Sequence, residues 1–265
     1  MNSANTLSPP NMLSSMKIII ALELERTFAS RQGLIYILAF AFFWYFLLKY
    51  GVFNETLLMM NQVVGADGVA DKLFANYFKV AMYFFPLLCL FVAANQTGSD
   101  RERGTLRFMT LYCSRDVIFF ARFLSQVLIH YILILFSALS TLLFGLYGGD
   151  FSFQAISHSL IACANIFLII LPFIALMAVL SATVKSPRQA TFYAGIIWSI
   201  ASGIISLLSH YVPAAEVLNM LVPGMQFSQL TSLNGSAMFS LAYIPLVQCA
   251  LLLMLGREIM RRRSL

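Results

Sequence analysis

What the chain lacks is charge. Of its 265 residues 17 are basic and 11 acidic, 11% in all, where a soluble domain carries about a quarter. Hydrophobic residues make up 60%, and the mean hydropathy is +0.83. So few charges cannot cover the surface of a water-soluble fold, and so apolar a composition is the reverse of a disordered chain. Cys89, Cys113, Cys163 and Cys249 show no close pairing, which excludes a disulfide scaffold. No Gly precedes a Lys, so a phosphate-binding loop of the Walker type is absent, as are HExxH, GxSxG and Cys-x-x-Cys. The chain reads as an integral membrane protein that is not itself an enzyme and holds no cofactor or metal.

The charge-free runs set the architecture. A helix needs ~20 apolar residues to cross ~30 Å of hydrocarbon, and the runs place six spans near 33–53, 78–98, 117–147, 155–183, 189–209 and 238–257. They are continuous rather than alternating, which excludes a β-barrel. The expected fold is all-α: one polytopic domain over 1–265, with a polar tail at 1–15, an interfacial helix at 16–31, a six-span bundle at 33–257 and a basic tail at 258–265. Residues 1–15 lack the basic-then-apolar order of a cleavable signal, so the first span is expected to direct insertion. With both termini cytoplasmic, Lys49, Lys72 and Lys79 are the only basic residues left outside. Arg122 is expected to lie on turns of the third span that project from the bilayer. The net charge of +6 is spread over four inner segments, a pattern of topology and contact with membrane lipid rather than nucleic-acid binding.

Three segments do not cross. In 16–31, Ile20, Leu24 and Phe28 recur at i, i+4 with Glu23, Arg26 and Ser30 elsewhere on the wheel, the pattern of a helix lying on the inner leaflet or of a plain juxtamembrane linker. The inner loop 99–116 opens with Asp100-Arg101-Glu102-Arg103, turns at Gly104, and continues as a short helix that Thr105 can cap. Leu106 and Met109, joined by Phe108 and Tyr112, give it an apolar side suited to docking in a groove of a soluble partner or to lying on the membrane, where a plain solvated loop would need none. The outer segment 210–237 is apolar but broken by Pro213, Pro223 and Gly224, and reads either as short helices dipping into the outer leaflet or as a surface loop.

Within the spans, His130, Asn165 and Gln248 are candidates for lining a path or for bonding between helices. His158 and His210 lie too far apart in the layout to join His130 in a metal site. No span contains a carboxylate, which weighs against proton-coupled transport. Gly195, Ser199 and Gly203 recur every four residues on the fifth span, and Ser137, Thr141 and Gly145 on the third. Such stripes allow close helix approach, either inside one bundle or, on the fifth span, between two copies.

The layout resembles the permease subunit of an ABC-2 type transporter. The local likeness is Glu102-Arg103-Gly104-Thr105-Leu106, then Ser114-Arg115 and Arg122, similar to that family's acidic-Gly-Thr-Leu stretch, Pro-x-Ser-Arg element and following basic residue. Tyr112-Cys113 stands where the family has its Pro. Glu25-Arg26-x-Phe28-x-Ser30-Arg31 resembles the family's elbow helix, and Leu218-Asn219 with Pro223 and Phe227 its outer element. The resemblance implies a coupling helix seated on a separate ATPase subunit, carried here by Arg101, Glu102, Arg103, Gly104, Thr105, Leu106, Arg107, Met109, Ser114 and Arg115. It implies two permeases, as a homodimer, with two ATPases that bind ATP and Mg, a place in the inner (plasma) membrane, and export. The alternatives are an ATP-independent secondary transporter or channel, and a membrane scaffold without transport.

Overall fold

In lipid, a long apolar run has one local solution, which is to satisfy each backbone group inside its own helix. The computed structural model describes residues 12–29, 31–47, 69–147, 153–184, 186–211, 220–224, 227 and 239–262, and no strand occurs among them. Helix α1 is Met12–Ala29, α2 is Arg31–Leu47 and α3 is Val69–Val92. A 3₁₀ turn, Ala93–Asn95, leads from α3 towards the short α4, Gly98–Glu102. Then follow α5 (Thr105–Tyr112), α6 (Arg115–Tyr147), α7 (Phe153–Thr183), α8 (Pro187–Tyr211) and α9 (Tyr243–Arg262).

Among the described residues, five stretches are long and apolar enough to cross a membrane: Tyr77–Glu102, Arg115–Leu143, Ser159–Thr183, Pro187–Tyr211 and Phe239–Arg262. The first expected span falls on α2, described over 17 residues, and its remainder lies outside the described residues. Two expected boundaries move. α1 begins at Met12, inside the expected polar tail. α9 does not stop at 257 but runs to Arg262, because Met260 finds a fully buried seat at that end; most of the expected basic tail is therefore helix.

α7 is the centre. It is apolar all round and packs against α3, α6 and α9, the environment such a helix requires. Its apolar window is 61% buried, against 11% for α8, which lies at the edge. Tyr77, Met82, Phe85, Ile134, Ile166, Ile170 and Ile174 form the core between α3, α6 and α7. A second, smaller cluster gathers Ile19, Leu106, Ile118, Phe119, Ala182 and Met260 at the end where the basic segments meet. That basic end positions the site described next.

Candidate functional site

At the basic end, α6 carries two sets of ion pairs. The deeper is built on Arg122, 3% exposed, whose guanidinium meets four elements. Nη1 lies 2.8 Å from Glu23 Oε1 on α1 and donates to the Gln96 carbonyl after the 3₁₀ turn. Nη2 pairs with Asp100 Oδ2 on α4 and lies 3.4 Å from Met109 Sδ on α5. Arg26 joins from α1, 3.4 Å from Asp100 and 3.7 Å from Glu23. Two cations thus balance two carboxylates, which is what lets charge stay buried at all. Burial pushes the Glu23 carboxyl above the ordinary carboxylate value of 4.5, outweighing the pull of Arg122 and Arg26 in the other direction.

The inner loop is fastened to this cluster. Thr105 does not cap α5 as expected: Gly104, at φ +71°, holds the N-cap position without a side-chain bond. The Thr105 hydroxyl instead donates towards Asp100, 3.2 Å from both its carbonyl and its carboxylate. Arg101 caps the end of α7, donating to the Ala182 carbonyl at 2.6 Å and the Val184 carbonyl at 3.1 Å. Gly98 lets α4 approach the start of α8, since a Cβ there would lie 3.1 Å from the Pro187 nitrogen.

The expected apolar side of α5 divides in the structure. Leu106 is 2% exposed and Met109 half-buried, both packed towards α1 and α6. Phe108, Leu111 and Tyr112 are 67%, 77% and 82% exposed, and Arg107, Glu102 and Arg103 are exposed beside them. Leu106 and Met109 therefore hold the helix, and the opposite side is the one free to meet a partner. Arg122, expected on turns of the third span that project from the bilayer, is enclosed by protein at the basic end.

The second set lies at the very start of α6. The Ser114 hydroxyl accepts the Val117 N–H at 3.4 Å, an N-cap. Asp116 accepts a fork from Arg261, Nε to Oδ1 at 2.9 Å and Nη2 to Oδ2 at 2.5 Å, and a further bond from Arg257 Nε at 3.0 Å. Arg115 reciprocates, donating to the Arg261 carbonyl at 3.0 Å at the end of α9. On α1, Glu25 and Phe28 are exposed, the Phe28 ring lying 6.3 Å from that of Tyr36; the side chain of Arg31 lies outside the described residues.

The intramembrane candidates divide. His130 is fully buried between α6 and its neighbours, with Nδ1 2.8 Å from the Gln126 carbonyl, and Asn165 donates to the Ile161 carbonyl at 2.9 Å. Both are buried inside the bundle and bond back to their own helix. Gln248 instead reaches another element, donating to the Met220 carbonyl at 2.5 Å. The two small-residue stripes also divide. Ser137 and Thr141 are fully buried, Ser137 bonding the Tyr77 hydroxyl at 2.7 Å, whereas Gly195 and Gly203 have open space where a side chain would stand. Val222, Pro223, Gly224 and Phe227 of the outer segment are tucked among the spans, while Met220 and Leu221 are exposed: Trp198 Nε1 donates to the Pro223 carbonyl at 2.8 Å, and the Phe227 ring stacks edge-on to Tyr83 at 5.5 Å. Sequence reasoning missed Glu23, Asp100, Asp116, Arg257 and Arg261 as partners. Their signal was scarcity, since an acid beside a span end in so uncharged a chain has few reasons to be there.

Comparison with known families matches residues 17–260 to the model described as ABC-2 family transporter protein. No curated protein matches the chain.

Proposed function

This chain belongs to the ABC-2 transporter family, and we propose that it is the permease subunit, forming the membrane pathway and driven by a separate ATPase subunit docked on α5. The observation that carries the reading is the division of α5. Leu106 and Met109 fasten it to the Arg122 cluster, while Phe108, Leu111 and Tyr112 stand out from a helix too short to cross a membrane. Large apolar side chains ringed by Arg103, Arg107 and Glu102 suit a groove on a soluble protein. The basic end is then cytoplasmic, with both termini inside and α2 completing six spans. ATP and Mg belong to the partner, and closure of the ATPase pair would drive alternating exposure of the pathway towards export. A second permease copy would pack on α8, the least buried of the five described apolar stretches, through Gly195, Ser199 and Gly203.

The test is purification of the tagged chain together with an ATP-hydrolysing subunit. Phe108→Asp with Leu111→Asp should abolish that association while leaving the fold intact, because both side chains are exposed. Retention of the ATPase by the double variant would refute the docking face. A particle mass corresponding to one permease per complex would refute the pairing through α8.

A further inference from the structure

Among the described residues, α9 is bonded at one end to the start of α6 and near the other to the outer segment. At the basic end it is locked to the start of α6 by exchange. Asp116 takes Arg261 as a fork and Arg257 singly, while Arg115 donates to the last carbonyls of α9. Gly256 brings the helix axes close: a Cβ there would lie 2.5 Å from Phe119 Cζ and 3.1 Å from Val179 Cγ2. Only Cys113 and Ser114 separate Asp116 and its neighbour from α5, and Cys113 N–H donates to the Met109 carbonyl at 3.0 Å, so the start of α6 cannot stay still if α5 shifts. At the far end, Gln248, buried on α9, donates to the Met220 carbonyl of the outer segment. From Gln248 to Arg261 the helix is uninterrupted, about 20 Å at ~1.5 Å per residue.

We propose that α9 is a strut that carries displacement of the coupling helix to the outer segment, with the Asp116–Arg257–Arg261 clamp as its inner joint and the Gln248–Met220 bond as its outer one. This rests on α5 being the ATPase dock. The physical warrant is mechanical. An α-helix is stiff along its axis, so two points fixed to it move together. Apart from the Gln248 joint, the described residues of the outer segment meet the bundle through the Trp198 bond to Pro223 and ring contacts at Phe227, contacts that a small shift can exchange. The inner joint is made of partly exposed charges. Each pair alone is weak, but a forked carboxylate shared by two arginines defines a direction as well as an attraction. Asp116 is therefore a positioning residue, acting through α9 and touching neither nucleotide nor cargo.

The experiment uses the whole complex, permease with its ATPase, in lipid nanodiscs. Leu221→Cys, exposed on the outer segment, is labelled with a polar maleimide and quantified at that peptide by mass spectrometry, without nucleotide and with ATP plus vanadate. In the parent the labelling rate should change several-fold with nucleotide. Arg257→Gln with Arg261→Gln should remove that change while ATPase association persists. Gln248→Leu, which leaves the clamp intact, should remove it as well. If either variant folds, binds its ATPase and keeps the full change, the strut is refuted and the docking reading stands. If the parent shows no change with nucleotide, the strut is refuted directly. If the parent does not associate with an ATPase, the docking reading fails and the strut with it.

Discussion

The two ion-pair sets on α6 use the same chemistry less than two turns apart and sit in different surroundings. Around Arg122 the guanidinium and both carboxylates are nearly sealed by protein, so each charge depends on its partners for all the solvation it has lost. Around Asp116 the arginines are 46–50% exposed, and water can replace any bond that breaks. The difference teaches a division of labour. The buried set fixes how α1, α4, α5 and α6 are assembled, and the rim set ties the start of α6 to the end of α9 at little cost in stability.

That contrast can be broken in three places. Arg122→Met would strand Glu23 and Asp100 without their main cation, a loss of roughly 3–5 kcal/mol for one member of a buried pair, partly offset by Arg26. A thermal melt of the purified protein reads it, and a loss no larger than that of a surface pair would put both sets in one class. Next in size is a pH effect at Glu23. Burial raises its folded pKa above the ordinary 4.5, so the folded protein holds this proton more tightly than the unfolded chain does. Its contribution is then fullest below that value and is lost as pH rises through the folded pKa. The melting temperature of the parent minus that of Glu23→Gln should decline as pH rises above 4.5 and then level off; a difference that instead grows as pH rises would mean that the pairs, rather than burial, govern this carboxyl. The smallest effect is expected for Asp116→Asn, at most ~1 kcal/mol on the melt, although it cuts the joint between α6 and α9. A loss near that of Arg122→Met would erase the distinction between fastening and coupling.

Much of this was legible in the residues. Charge scarcity alone places the chain in a membrane, and the position of α5 follows from Gly104 and the apolar residues after it, because a short helix between charged flanks has little freedom in its bounds. The face it presents was not legible. Leu106 and Met109 lie on one side, Phe108, Leu111 and Tyr112 on the other, and both sides are apolar. Periodicity finds an apolar face only when the opposite one is polar. The basic residues of α9 were read as topology signals, which explains their sign but not Asp116, whose partners lie more than a hundred residues away in sequence.

The stripes on α6 and α8 mark the same boundary. Ser137-x-x-x-Thr141 and Gly195-x-x-x-Ser199 obey one spacing rule, and the sequence by itself determines that each helix has a side on which another backbone can come close. Only the tertiary structure decides that Ser137 and Thr141 are filled by the chain's own α3 and α7 neighbourhood while Gly195 and Gly203 stay open. Helix formation and membrane residence are local consequences of hydropathy and length. Which polar groups meet depends on contacts between segments far apart in the chain, and hydropathy is silent about those because every span is equally at home beside lipid or beside another span.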